Sequence, residues 1–242
     1  QHPATDVCTS LYVRLYPIMS WLSASAIYVP STNNNTMDTL DRLIRHLVLR
    51  SATTQALSLY HGKMGIAMTL MIYARHHGRP HLHNYAERLL LNVCNNIPEN
   101  MSPGFAEGLA GIGYGITILH RKGLIDGNLD DILADIDAQL MRYDPRRYDD
   151  FSFRTGLCGI KYYIDTRRKY YGNSGTIDPV FEKELTLALE KNKERCEHYT
   201  RMVDDIVAPI WALEEYKDKE LGIDNGCAYY IIKEVYDEVL SD

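Results

Sequence analysis

The sequence predicts an all-α protein in which an inner layer of helices is wrapped by an outer one. Three observations carry this. Apolar residues recur at spacings of three and four in segment after segment, while strand-like alternation is scarce. Segments with a one-sided apolar stripe alternate with segments apolar on nearly every side, and a helix of the second kind must be surrounded by protein. The all-round apolar segments also share a glycine-marked start, which reads as copies of one unit.

The elements follow in order. Tyr12 to Val29, rich in Tyr, Leu and Ile, reads as helix interrupted at Pro17. Residues 38–50 place Leu40, Leu43, Ile44, Leu47 and Val48 on one face. Residues 62–74 (GKMGIAMTLMIYA) are apolar all round, and residues 81–97 return to a stripe with Leu82, Tyr85, Ala86, Leu89, Leu90 and Val93. Residues 108–119 (GLAGIGYGITIL) are again apolar throughout. Residues 128–142 open with Asn128 as N-cap and two aspartates in the first turn, where negative charge meets the positive end of the helix. Residues 178–195 open with Asp178 as cap and Pro179 at the first helical position. A last stripe covers about 203–217, and could supply an extra or degenerate helix. The organisation is a single domain over 1–242, with an N-terminal helical segment at 1–37 and repeats over 38–242.

Composition sets outer bounds. The 242 residues are 45% hydrophobic and 24% charged, enough for a substantial core. Acids number 32 against 26 Lys plus Arg, a net charge of −6, so the electrostatic footprint of a nucleic-acid binder is absent. Mean hydropathy is −0.28, and no apolar run reaches the length of a membrane helix. The five cysteines (Cys8, Cys94, Cys158, Cys196, Cys227) show neither a disulfide framework nor a close zinc-type pair. They read as free thiols in a reducing compartment, and the expected location is the cytoplasm.

Four glycine-marked segments align: LYHGKMGIAMTLMIYAR, FAEGLAGIGYGITILHR, FRTGLCGIKYYIDTRRK and IDNGCAYYIIKEVYDEV. Their first glycines are Gly62, Gly108, Gly156 and Gly226, spaced by 46, 48 and 70 residues; the first two intervals suit a two-helix repeat. A second glycine follows three residues on at Gly65, Gly111 and Gly159, but the fourth copy holds Tyr229 there. Residues i and i+3 share one helix face, so removing both side chains lets another backbone approach. That approach must offset about 1 kcal/mol per glycine in a helix interior. The run Gly108, Gly111, Gly113, Gly115 is not a dinucleotide-binding loop, because no strand precedes it and the spacing differs.

These helix starts resemble the lanthionine synthetase C-like (LanC-like) family over roughly residues 55–240. The resemblance rests on LYHGKMGIA, EGLAGIGYGI and TGLCGI, with the fourth copy degraded. It implies an α/α toroid, here incomplete or reduced, of helical-hairpin repeats whose motif loops converge on one open end. It further implies modified-peptide biosynthesis of the lanthipeptide type: a cysteine thiol of a precursor peptide adds to a dehydrated Ser or Thr. In the family's cyclases zinc activates that thiol. Two cysteines, each two places before a motif glycine, and one histidine, one place before it, hold the metal. Here the first place holds Tyr60, Ala106, Arg154 and Asp224, and the second holds His61, Glu107, Thr155 and Asn225. The family's Cys/Cys/His ligands are therefore not found, and no cofactor is expected.

If the repeats ring one axis, these residues meet at one mouth. His61, Glu107 and Asp224 are the candidate catalytic residues: His61 as general acid or base, Glu107 positioning it. Tyr60, Arg154, Thr155 and Asn225 are candidate substrate contacts, with Thr155 and Asn225 read also as helix N-caps. The expected partner is a precursor peptide or a peptide-modifying enzyme. Two alternatives stay open: a non-catalytic peptide-binding scaffold of such a pathway, and a carbohydrate-active α/α barrel using Glu107 and Asp224 as acid and base. His76, His77, His81 and His83 match no standard metal spacing and read as residues of a helix–helix turn. Residues 143–154 (YDPRRYDDFSFR) read as a lid over the mouth or a surface connector.

Overall fold

The computed structural model describes residues 34–172, 175–197 and 201–235, with side chains described from Thr39 onward. The expected helix from Tyr12 to Val29 lies outside the described residues. Eight α-helices are described: α1 (Asn34–Ser51), α2 (Lys63–His76), α3 (Pro80–Asn95), α4 (Leu109–Arg121), α5 (Leu129–Leu140), α6 (Leu157–Tyr171), α7 (Pro179–Lys191) and α8 (Cys227–Glu234). No strand occurs among the described residues. None of these helices is long and apolar enough to cross a membrane.

The two layers separate as the patterning requires. In α2 every residue from Lys63 to Ala74 is buried, and in α4 every residue from Leu109 to Leu119. The striped helices bury one face only: Ala86, Leu89, Leu90 and Val93 in α3, and Leu129, Leu133, Ile136 and Leu140 in α5. Each inner helix packs on its own outer one, α2 on α3, α4 on α5 and α6 on α7, while α1 lies against α8. The inner helices neighbour one another in the order α8, α2, α4, α6. The result is an α/α toroid arc of helical hairpins.

The expected caps form: the Asn128 side chain accepts from Asp130 N, and Asp178 from Val180 N. The inner helices start differently. Gly62, Gly108, Gly156 and Gly226 are their N-caps, and none supplies a side-chain cap. Instead the preceding loop curls back and caps with its own carbonyls, seven residues earlier. Lys63 N donates to Ala56 O, Leu109 N to Ser102 O, Leu157 N to Asp150 O and Cys227 N to Glu220 O. The cap reading of Thr155 and Asn225 is therefore corrected, because both stand one place outside the helix.

The expected helix over 203–217 is also corrected. The chain makes short 3-10 turns at Met202–Asp204 and Leu213–Asp218, with irregular backbone between them. Pro209 lacks the N–H a continuing helix needs, and Val207 gives both its backbone groups to the fourth loop. Its N–H donates to Asp224 Oδ1 and its carbonyl accepts from Asn225 N.

Behind the mouth, α5 and α6 are joined by a buried polar knot. Tyr163 donates to Asp137 Oδ1 at 2.7 Å, and Arg167, 1% exposed, pairs with Asp137 and Asp130. Gly113 makes room for it: a Cβ there would lie 2.6 Å from the Tyr163 ring.

Candidate functional site

The four glycine-marked loops do converge, through main-chain hydrogen bonds. Ile223 N of the fourth loop donates to Tyr60 O of the first (2.8 Å), and Tyr60 N donates to Ala106 O of the second (3.0 Å). Phe105 N and Ala106 N donate to Arg154 O of the third (2.9 and 2.8 Å).

Three levels stack on this frame. Three places before each glycine stand Leu59, Phe105, Phe153 and Ile223, all essentially inaccessible, which form the floor. Their neighbours explain the second glycine. A Cβ at Gly111 would sit 1.8 Å from Phe105 O and 3.0 Å from the Leu59 side chain. One at Gly159 would sit 2.1 Å from Phe153 O and 2.6 Å from the Phe105 side chain. The close approach inferred from the glycine pairs is thus made by the helix's own loop and by the floor residue of the neighbouring one. One place before the glycine, His61 is half-buried and Glu107, Thr155 and Asn225 are exposed. Asn225 is the one non-glycine described residue with positive φ (50°), a region its short polar side chain tolerates.

The charge spans this upper level and the middle one, two places before each glycine, where Tyr60, Ala106, Arg154 and Asp224 stand. His61 Nε2 lies 3.6 Å from Glu107 Oε1 and 3.5 Å from Asp224 Oδ2, in ion-pair range of both. Ser58 donates to Glu107 Oε2 at 2.7 Å and so fixes the far side of that carboxylate. Arg154 binds Asp224 through both Nη atoms (2.7 and 3.2 Å). It also reaches Asp205, through Nε to Oδ2 at 3.0 Å and Nη2 to the carbonyl at 2.6 Å. The hydrogen bonds to Asp224 hold its guanidinium pKa above the ordinary value, against the burial that would lower it.

Tyr60, expected as a substrate contact, is fully buried, its ring under the Arg154 guanidinium at 5.1 Å. Its hydroxyl donates to Asp205 Oδ2 at 2.7 Å, and burial followed by that bond pushes its pKa upward. Thr155 and Asn225 border the mouth without joining the charged cluster. The Thr155 hydroxyl donates to Asp150 Oδ2 at 2.6 Å, and its Oγ1 lies 2.9 Å from Ser152 Oγ. The residue that sequence reasoning missed is Asp205. It belongs to no repeat copy; the docking of Val207 on the fourth loop brings it inward, where Arg154 and the Tyr60 hydroxyl hold it.

The donor set does not fit the zinc of the family's cyclases. Where a cysteine should stand, Arg154 places a permanent cation between two carboxylates. Cys158 and Cys227 lie in the first turns of α6 and α8, past the motif glycines and not two places before them, and burial pushes both thiols up to about 12. Among the described residues no three His, Cys, Asp or Glu side chains are grouped to hold a metal ion.

A helical-hairpin arc with glycine-capped inner helices opening on one mouth defines an α/α toroid protein. The chain belongs to the lanthionine synthetase C-like protein family, whose model matches residues 53–205. No curated relative matches the chain.

Proposed function

We propose that this protein takes part in the maturation of a modified peptide, and that His61 carries a proton during addition of a peptide thiol to a dehydrated Ser or Thr. The observation behind this reading is the His61 imidazole between the Glu107 and Asp224 carboxylates at the open end of the arc. The step balances without a redox partner. The thiol proton passes to His61, the sulfur bonds to the β-carbon, and the displaced π pair gives an enolate. His61 then returns the proton to the α-carbon. Glu107, held by Ser58, orients the imidazole and balances its charge while it is protonated. Arg154 and Asp205 keep Asp224 in place. No step runs through zinc. The free thiols suit a reducing compartment, and we place the protein in the cytoplasm with a precursor peptide as its partner.

The misfit to zinc favours a second reading, a non-catalytic scaffold that holds the precursor peptide or binds the enzyme that modifies it. The carbohydrate reading is weaker, because both Asp224 oxygens are engaged by Arg154 and one also by Val207 N.

The test is to incubate the protein with a synthetic peptide bearing one cysteine and one dehydroalanine, and to follow loss of the alkylatable thiol. Turnover that disappears in His61→Ala and Glu107→Ala supports catalysis. Peptide binding without turnover selects the scaffold. Neither binding nor turnover removes both readings. Stoichiometric zinc in the pure protein would overturn the zinc-free mechanism.

A further inference from the structure

A second concave feature lies at the other end of the α2–α3 hairpin. α1, the turn Gly78–Pro80 and the first turns of α3 enclose a groove of about 730 Å³, a volume within the usual range of ligand sites. α2 runs its whole length between this groove and the mouth, a separation of about 20 Å.

The groove is built and braced. Its walls are Ile44, Val48 and Leu49 on α1 and Leu82 and Tyr85 on α3. Leu49 is 74% exposed, which leaves a large apolar side chain in water. At one end Arg79 donates to Asp41 Oδ1 at 2.6 Å. At the other the Tyr85 hydroxyl donates to Val48 O at 2.7 Å and lies 2.8 Å from Ser51 Oγ. These braces fix the spacing of α1 and α3 independently of any occupant.

The side chains lining it include two permanent cations. Arg45 and Arg79 line the groove beside the imidazole of His81, and no Asp or Glu lines it. Arg79 is matched by Asp41, whereas Arg45 and His81 are exposed and form no ion pair among the described residues. α3 opens here at Pro80 without a side-chain cap, so the positive end of its dipole adds to the same potential.

We infer that this groove docks an acidic amphipathic peptide segment. Its apolar residues, at helical spacing, seat on Leu49 and Leu82, and its carboxylates reach Arg45 and His81. This is helix-in-groove recognition, where apolar anchors give affinity and complementary charge gives selection. Residues 1–33 of the chain carry one acid, Asp6, and one base, Arg14, so charge does not select them as the occupant. The inference does not depend on the chemistry at His61, since the two sites lie at opposite ends of α2.

The experiment is fluorescence polarisation with a labelled synthetic peptide that has leucines at helical spacing flanked by glutamates, beside the same peptide with lysines for glutamates. The glutamate peptide should bind and the lysine peptide should not. Binding should weaken with salt, fall by about tenfold or more in Arg45→Glu/His81→Glu, and be lost in Leu49→Asp. All three positions are exposed, so these variants keep the fold, which circular dichroism checks. Equal binding of both peptides, or none, overturns the inference. So does unchanged binding in the double variant. A wild-type dimer that Leu49→Asp converts to monomer makes a second copy the occupant. Binding seen only after removal of residues 1–33 makes the chain's own segment the occupant. Either result also overturns it.

Discussion

Arg154 lies across the carboxylate of Asp224, Nη1 to Oδ2 at 2.7 Å and Nη2 to Oδ1 at 3.2 Å, and so ties the third loop to the fourth through side chains. The same guanidinium holds Asp205, and through it the buried Tyr60 hydroxyl. One cation thus sets the position of three groups around His61.

Removing that cation leaves the Asp224 and Asp205 side chains, each 6% exposed, without their guanidinium, though Val207 N still donates to Asp224 and the Tyr60 hydroxyl to Asp205. Breaking a buried ion pair this way costs about 3 kcal/mol, the lower end of its range because Arg154 itself is one-third exposed. Arg154→Ala should lower the urea midpoint accordingly. Arg154→Lys should recover only part, since an ammonium cannot make the paired contact. An unchanged midpoint in Arg154→Ala would show that the network does not stabilise the mouth.

The glycines divide by what surrounds them. At Gly111 a Cβ meets backbone at 1.8 Å, which cannot rotate away. Gly111→Ala should cost about 3 kcal/mol or more, at the upper end of overpacking. Gly78 has positive φ (61°) but open space around it, so Gly78→Ala should cost only about 1 kcal/mol. Thermal melts of the two variants check the contrast. Equal destabilisation would contradict the close approach.

Three histidines predict acid sensitivity. Burial lowers the pKa of His46, His77 and His83 below the ordinary 6.5; nearby cations add to this at all three, and His76 also at His77. Below 6.5 the unfolded chain therefore binds more protons than the folded one, and stability falls with falling pH. About one unit above 6.5 all three are neutral in both states and their contribution is fully present. Urea titrations should give a nearly flat free energy between about pH 7 and 8 and a decline below 6.5. His83→Gln should make that decline shallower. A protein that gains stability between 6.5 and 5.5 would reverse the assigned direction.

Burial holds the Cys94, Cys158 and Cys227 thiols up to about 12. At pH 8 these three should resist iodoacetamide in the native protein and react fully in denaturant. Peptide mapping after a timed pulse reads each site. Fast native labelling of Cys158 or Cys227 would reveal a thiolate, and with it a chemistry closer to the zinc cyclases.

Much of this was legible in the sequence because it is written locally. A stripe such as Leu129, Leu133, Ile136, Leu140 defines its helix and its buried face together. The Asn128 and Asp178 caps declare their own helix starts. The glycine columns brought His61, Glu107, Arg154 and Asp224 to one place before any coordinates. What remained hidden is long-range. Nothing near Asp205 marks it as a partner of Tyr60, 145 residues away in sequence. The stripe over 203–217 misled because the docking of Val207 on Asp224 and Asn225 overrides helical periodicity. Tyr60 was misplaced because its column is mostly buried: Tyr60, Ala106 and Asp224 are buried and only Arg154 is partly exposed.

The loops meet through peptide groups, and that separates scaffolding from display. Positions 61, 107 and 155 stand on an arc whose peptide contacts ask nothing of their side chains, whereas position 225, at positive φ, favours Asn or Gly. A library randomised at the first three places should therefore yield mostly folded members, each presenting a new set of functional groups on the same frame.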